Sequence, residues 1–118
     1  MTQNEAGTLP QNPTAVITGG SRGIGAACAR ALAAQGCNCV LNYSSALSET
    51  AAAELSDELE QAYGVQSVIA RADVSDFEQA KDLIAGAREA FGSVDILVNN
   101  AGITRDGMLA RMKEDDFD

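Results

Sequence analysis

Short apolar runs alternate with stretches of helical spacing along this chain, and that alternation limits the possible folds more than any other feature. Three stretches with apolar residues at intervals of three and four separate the runs, and the connections between them are short. This order, β-α-β-α-β-α-β, with right-handed crossovers predicts a parallel sheet covered by helices on both faces. The runs that we interpret as strands are 14–18, 37–43, 66–71 and 94–98.

The helical stretches carry signals for their buried faces and their ends. Ser48 is a plausible N-cap for the second helix, and Ser75-Asp76-Phe77-Glu78 resembles a capping box at the start of the third. Gly36, Gly64 and Gly92 are natural stops. The expected buried faces are Ile24, Ala27, Cys28, Ala31 and Leu32 in the first helix, Ala52, Leu55, Leu59 and Ala62 in the second, and Phe77, Ala80, Leu83, Ile84, Ala87 and Phe91 in the third.

Length and charge narrow the classes of function. A chain of 118 residues is at most one domain, which we place at 14–118 after a polar, flexible leader at 1–13. The net charge of −9 is spread over helical stretches, which indicates a solvated surface and argues against a nucleic-acid partner. It does not exclude a dinucleotide, which a few backbone amides and one or two cations can hold. No apolar stretch has the length of a transmembrane helix, so we expect no membrane association.

The cysteine and histidine content bears on compartment and chemistry. Three cysteines without a signal peptide indicate reduced thiols and a cytoplasmic protein. Cys37 and Cys39 alternate along the second strand, so we expect them to face the same side and pack in the core. The chain has no histidine, which rules out histidine-based triads and leaves no convincing set of metal ligands.

The segment Thr18–Gly25 joins the first strand to the first helix with glycines at 19, 23 and 25. Glycines permit a sharp turn and a close approach of the backbone to a ligand. The helix that follows offers free N–H groups and a positive dipole end, which suit a phosphate. The spacing G-x-x-x-G-x-G is not the usual G-x-G-x-x-G pattern, and a tight turn without a ligand would also explain it. Its position between strand and helix favours a dinucleotide.

Parallel strands bring their carboxyl ends to one crevice, where ligands of such sheets bind. NAD sites carry an acid at the end of the second strand, whereas this chain has Asn42-Tyr43-Ser44-Ser45 there. Arg22 in the glycine turn can meet a phosphate with two hydrogen bonds, and Ser44 and Ser45 leave room for it. We therefore predict NADPH/NADP as the cofactor; the alternative interpretation of Arg22 is an exposed loop cation without a ligand.

Two further strand ends complete the predicted site. Asp73 is expected to accept a hydrogen bond from the adenine amino group beside Val74, or alternatively to cap the nearby helix. We assign Asn100 to the ribose region of the cofactor and a mainly structural role to Asn99. The candidate cofactor-binding residues are Gly19, Ser21, Arg22, Gly23, Ile24, Gly25, Ser44, Asp73, Val74, Asn100, Ala101 and Gly102.

Taken together, these segments resemble the short-chain dehydrogenase/reductase family. Thr18-Gly19-x-x-x-Gly23-x-Gly25 is similar to its coenzyme turn, Asp73 to its adenine-side acid, and Asn99-Asn100-Ala101-Gly102 to its strand-four motif. The resemblance covers about 14–118 and implies the N-terminal part of a doubly wound, parallel-sheet Rossmann fold. Within the family, 42–45 and especially 99–113 look like the NADPH-dependent ketoreductases that reduce 3-oxoacyl chains carried on acyl carrier protein.

The resemblance also implies a homotetramer and an acyl carrier protein thioester as substrate. Family catalysis uses an Asn, a Ser and a Tyr-x-x-x-Lys pair that would all lie beyond Asp118, and neither Tyr43 nor Tyr63 has a lysine four residues later. We therefore assign no catalytic residue, expect the 118 residues alone to be inactive, and expect the fourth strand to form an exposed edge. Another short-chain ketoreductase and a non-catalytic dinucleotide-binding module remain alternatives.

Overall fold

The computed structural model describes residues 12–100 and the backbone of 109–111. Their elements follow the predicted order, with boundaries that differ from the expected ones by one or two residues. The elements are β1 (Thr14–Thr18), α1 (Gly23–Ala34), β2 (Asn38–Tyr43), a short 3-10 helix (Ala46–Ser48), α2 (Glu49–Tyr63), β3 (Ser67–Arg71), α3 (Phe77–Phe91), β4 (Ile96–Asn99) and β5 (Leu109–Arg111).

The strands form one sheet in the order β3-β2-β1-β4-β5, and the first four are parallel. Val16 of β1 lies between Val40 of β2 and Leu97 of β4. The doubly wound α/β fold predicted from the alternation is therefore confirmed. Among the described residues, no helix is both long enough and apolar enough to cross a membrane.

The strand β5 was not predicted. It runs antiparallel to β4 and places Ala110 beside Leu97, so the exposed β4 edge expected from the sequence is wrong. Three residues with the sequence Leu-Ala-Arg carry too little periodicity to identify a strand.

The two faces of the sheet carry separate apolar clusters because successive strand residues point to opposite sides. Ile17 and Leu41 belong to the cluster under α1 and α2, whereas Val16 and Val40 belong to the cluster under α3. Cys37 and Cys39 both lie in the first cluster, as predicted. Burial raises the pKa of the Cys39 thiol to about 12, so this cysteine is a packing residue.

The face of α1 that meets the sheet is not the one predicted. Gly25 and three alanines are buried, whereas Ile24 is 53% exposed, and Cys28 and Leu32 only border the core. Alanine occurs all around this helix, so the apolar spacing could not define its inner face. The residues with the least volume lie inside because α1 packs close to the strands. Of the predicted stripe, Ala27 and Ala31 are exposed as well.

The other two helices agree better with the predicted faces. In α2, Ala62 is exposed and Ser56 is buried instead, where its hydroxyl donates to Ser67 Oγ at 2.8 Å. In α3, Phe77 is 51% exposed with Lys81 Nζ 5.5 Å from its ring centre, and Phe91 is half-buried. Ala62, Phe77 and Phe91 lie in the first or last turn of a helix, whereas Ser56 lies in the middle of α2.

The N-cap predicted for α2 has the right position, whereas the one predicted for α3 is wrong by one residue. Ser48 occupies the N-cap position of α2, but its side chain makes no capping hydrogen bond. The N-cap of α3 is Asp76 rather than Ser75, and its carboxylate accepts from the amides of Glu78 and Gln79. The glycines at 36, 64 and 92 have positive φ and follow α1, α2 and α3 as predicted.

Several sequence predictions lie outside the described residues. They concern the leader up to residue 11 and the site residues Ala101 and Gly102.

Candidate functional site

A cavity of about 320 Å³ opens where the parallel strands end. All four strand-end segments singled out in the sequence contribute to its wall. The topology explains this gathering, since parallel strands all end at the same edge of the sheet. The cavity is lined by Gly19, Asn42, Ser44, Asp73, Val74, Ser75 and Asn99.

A larger groove, of about 470 Å³, lies on the α3 face beside β3. Val68, Ala70, Leu83 and Ala87 make its wall mainly apolar. Ligand sites need a few convergent polar groups for orientation. Because the strand-end cavity has those groups and lies at the edge where this fold binds ligands, we take the smaller cavity as the candidate site.

The glycine turn adopts a conformation that requires glycine. Gly19 has φ 59° and Gly23 has φ 64°, values that other residues seldom adopt. Gly25 is restricted by space instead: a Cβ there would lie 2.4 Å from the carbonyl oxygen of Gly19 and 2.8 Å from Asn100 Nδ2. The first turn of α1 therefore lies directly on the glycine turn.

Two asparagines from other strands hold the turn. The Gly19 amide donates to Asn42 Oδ1 at 3.2 Å, and the Gly20 amide donates to the Asn42 carbonyl oxygen at 3.0 Å. On the opposite side, Asn100 Nδ2 donates to the Gly19 carbonyl oxygen at 2.9 Å. These contacts occupy the amides of Gly19 and Gly20, so the donors left for a ligand come later in the turn.

The beginning of α1 supplies those donors. The first N–H groups of any helix lack an intrahelical acceptor, and Arg22, the N-cap residue, makes no side-chain capping bond to them. A Cβ added at Gly23 would meet nothing within 4 Å, so this backbone faces open space. Ser21 is half-buried, whereas Arg22 and Ile24 are exposed beside it. An anion at this position would meet backbone N–H groups and the positive end of the helix dipole.

The end of β2 separates a buried part from an accessible part. Asn42 and Tyr43 are buried, whereas Ser44 is exposed and lines the cavity. Ser45 is half-buried, with its Oγ 3.5 Å from Ser48 Oγ. The accessible residue at this strand end is therefore a small hydroxyl and not a carboxylate, which leaves room for a phosphate.

The connection between β3 and α3 forms the next wall. Asp73 Oδ1 accepts from the Ser75 hydroxyl at 2.6 Å and from the Ser75 amide at 3.0 Å. These bonds, the one from the hydroxyl first, lower the pKa of Asp73. Asp73 does not cap α3, since Asp76 does, so the second interpretation offered from the sequence is wrong.

Gln79 stabilises this connection from within α3. Its Nε2 donates to Asp76 Oδ2 at 3.3 Å, and its Oε1 accepts from the Asp73 amide at 2.8 Å. This residue was not predicted from the sequence, although a glutamine three positions after an aspartate N-cap is a known capping arrangement. Within the described residues, Asp73 Oδ2 makes no hydrogen bond and is free to accept one from a ligand.

The end of β4 contributes both asparagines. Asn99 is exposed, lines the cavity and accepts from Thr18 Oγ1 at 3.4 Å. Asn100 ties two loops together through Gly19, which is the kind of role expected of Asn99 from the sequence. The assignment of Asn100 to the ribose region of the cofactor stays a prediction.

A dinucleotide fits the residues present. The cavity wall offers a carboxylate oxygen at Asp73, a small hydroxyl at Ser44 and Gly19, the first residue of the glycine turn; the rest of the turn, which leads to the amides of α1, does not line the cavity. An adenosine needs the first two kinds of group, and a pyrophosphate needs the amides of α1. The groups present at the ends of the strands therefore agree with the predicted dinucleotide cofactor.

Comparison with known proteins gives a consistent result. The family model described as short chain dehydrogenase matches residues 13–118. The chain is 44% identical over 107 residues to the 3-oxoacyl-[acyl-carrier-protein] reductase FabG of Staphylococcus epidermidis, covering 91% of this chain and 43% of the relative. The chain thus spans less than half the length of this curated relative.

Two solved structures are similar in fold and in sequence. A blue fluorescent protein from a metagenomic library in complex with NADPH has a TM-score of 0.72 and 44% identity, over 80% of this chain and 38% of that one. L-sorbose reductase from Gluconobacter frateurii, complexed with NADPH and L-sorbose, has a TM-score of 0.70 and 35% identity, over 79% and 34%.

Proposed function

This chain belongs to the short chain dehydrogenase family, and we propose that it is the NADPH-binding part of a reductase acting on 3-oxoacyl chains carried by acyl carrier protein. The observation that supports the cofactor is the strand-end cavity, in which Ser44 stands where an NAD site would place an acid. The likeness to curated 3-oxoacyl-[acyl-carrier-protein] reductases supports the substrate.

In this proposal, different residues of the described part of the chain bind different parts of NADPH. The first amides of α1 hold the pyrophosphate, and Arg22 meets the 2′-phosphate beside Ser44. Asp73 Oδ2 accepts from the adenine amino group, and Val74 packs against the ring. When bound, the cofactor supplies the hydride for reduction of a keto group.

Further proposals concern the whole protein. We infer that 14–118 correspond to a partial NADP-binding domain preceded by a leader at 1–13, that the complete protein is a cytoplasmic homotetramer, and that the 118 residues alone do not catalyse the reduction. The physical basis for the last point is that none of the cavity residues provides a tyrosine–lysine pair for proton donation.

The cofactor assignment is tested by Arg22→Ala, with NADPH and NADH titrated separately against the chain. Hydrogen bonds to charged groups contribute about 1.5–3 kcal/mol, so we expect NADPH affinity to fall about 10-fold to 100-fold and NADH affinity to change little. Arg88→Ala, an exposed arginine in the last turn of α3, is the matched control. An equal loss for both cofactors would contradict the assignment.

The substrate assignment has a specific competitor, because L-sorbose reductase shares the fold and 35% identity. Sequencing the gene beyond codon 118 and assaying its complete product separates the two. Faster reduction of acetoacetyl-acyl carrier protein than of L-sorbose supports the proposed substrate, whereas the reverse order supports a sugar reductase. NADPH binding without turnover of either would favour a non-catalytic binding module.

A further inference from the structure

Asn42 connects the glycine turn with the connection that carries Asp73. The residue is 1% exposed, and its side chain uses both of its polar atoms. Oδ1 accepts from the Gly19 amide at 3.2 Å. Nδ2 donates to the carbonyl oxygens of Ala70 at 3.2 Å, Ala72 at 3.1 Å and Tyr43 at 3.3 Å. One buried amide therefore joins the ends of β1, β2 and β3.

The two sides of this amide contact different walls of the proposed NADPH site. Gly19 begins the turn that leads to the phosphate-binding amides of α1. Ala72 directly precedes Asp73, which lines the cavity and is the residue that we propose for adenine binding. The Asn42 backbone strengthens the first side, since its carbonyl oxygen accepts from Gly20 at 3.0 Å.

We propose, resting on the NADPH-binding function above, that Asn42 is a positioning residue that fixes the distance between the phosphate-binding turn and the adenine-binding connection. Asn42 does not contact the reacting atoms, and it acts through Gly19 and Asp73. A ligand that spans both walls then binds to a site that is already assembled, which reduces the ordering cost of binding.

The chemistry of the side chain supports an amide at this position. An ionised aspartate has the same shape but only accepts, so it would keep the Gly19 contact and lose all three donated contacts. It would also face three carbonyl oxygens with a negative charge. An alanine would lose every side-chain hydrogen bond and leave the part-buried amide of Gly19 without its partner.

A matched control lies on the same strand. Asn38 is also buried, at 9% exposure, and its Oδ1 accepts from the Gln66 amide at 3.0 Å. It begins β2 and so lies at the opposite edge of the sheet from the cavity. Asn38→Ala removes a similar buried hydrogen bond but touches none of the site, so it reports the purely structural cost of such a loss.

The binding test compares NADPH dissociation constants of the full 118-residue chain and its variants. We expect Asn42→Ala to raise the constant about tenfold per folded molecule, and Asn38→Ala to leave it within a factor of two. Asp73→Ala should weaken binding in the parent chain but have a much smaller effect in the Asn42→Ala background, because Asp73 is no longer held in place. Additive effects, or equal effects of Asn42→Ala and Asn38→Ala, would overturn the proposal.

Amide hydrogen exchange provides a readout that does not require NADPH. In Asn42→Asp, the amides of Asp73 and Ser75 should exchange several-fold faster although neither is hydrogen-bonded to the Asn42 side chain, whereas Asn38→Ala should accelerate exchange near Gln66 only. Unchanged exchange at Asp73 and Ser75 would overturn the proposal even if NADPH binds.

The same measurement on the parent chain covers the case in which both Asn42 variants fail to fold. NADPH should then slow exchange at Gly20 and Asp73 by the same factor, and protection of only one of them would refute the coupling. If the parent chain does not bind NADPH at all, the proposed function fails, and exchange in Asn42→Asp alone decides the role of Asn42.

Discussion

The contact between Gly25 and the glycine turn gives a prediction with a worked magnitude. In Gly25→Ala, the new Cβ would lie 2.4 Å from the Gly19 carbonyl oxygen, 2.8 Å from Asn100 Nδ2 and 3.0 Å from the Gly20 Cα. Two of these neighbours are backbone atoms that cannot rotate away. Ordinary contact begins at about 3.4 Å. The beginning of α1 must therefore move by roughly 1 Å or the turn must open.

The expected change in the free energy of unfolding combines two losses and one gain. Overpacking of this kind costs about 1–3 kcal/mol. Displacement of Asn100 from Gly19 removes a hydrogen bond that contributes about 0.5–1.5 kcal/mol. Replacing a helical glycine by alanine returns about 0.5–1 kcal/mol. We expect a net loss of about 2 kcal/mol in the free energy of unfolding.

Urea unfolding measures this loss, and Gly86→Ala is the control. Gly86 lies within α3, and a Cβ there would meet nothing within 4 Å, so only the helix-propensity gain applies. We expect the unfolding midpoint of Gly25→Ala to fall by roughly 1 M and that of Gly86→Ala to rise slightly. If Gly25→Ala is as stable as the parent chain, α1 does not pack on the turn as described and the reasoning fails.

Three further predictions use other contacts. Asp76→Ala should destabilise the chain by about 1 kcal/mol in urea unfolding, whereas Ser48→Ala should not, and equal losses would contradict the assignment of caps. In the folded chain at about pH 8, iodoacetamide should modify Cys28 well before the buried Cys39, because a pKa of about 12 disfavours the Cys39 thiolate. Mass spectrometry of the peptides gives the order of modification, and the reverse order would contradict the prediction. Arg30 Nε donates to Glu58 Oε2 at 2.7 Å, and this bond lowers the pKa of Glu58. The stabilising effect of the pair is therefore present above the ordinary Glu58 pKa of 4.5 and is lost as pH falls below that value. Glu58→Gln should reduce the acid-side loss of stability in urea unfolding, and an unchanged pH profile would show that the ion pair does not contribute.

The sheet was predictable because its signals are local. Each parallel strand is an apolar run that ends in a glycine, a serine or a small polar segment, and the helices between them carry glycine stops. The positions of Gly19, Ser44, Asp73 and Asn99 around one cavity followed from strand topology alone.

The inner face of α1 was not predictable because alanine gives no contrast between inside and outside. The role of Asn42 was missed for a different reason. Its bonds join residues 23 to 30 positions away, and a single sequence does not reveal which distant carbonyl oxygens a side chain will reach. The N-cap of α3 was predicted one residue too early because Ser75 and Asp76 are both good capping residues. Only the geometry shows that Asp76 is the cap and that Ser75 bonds to Asp73.

The buried face of α1 has a consequence for how sequences of this kind can vary. Gly25, Ala26, Ala29 and Ala33 leave little but backbone and methyl groups between the helix and the strands. A larger residue at any of these positions would meet backbone and methyl groups that cannot move aside. It would therefore push the helix away from the sheet. A library randomised at these four sites should therefore return small residues only, while Leu32 at the margin admits many replacements. Because these small residues hold α1 close to the strands, the first amides of the helix stay at a fixed distance from the glycine turn.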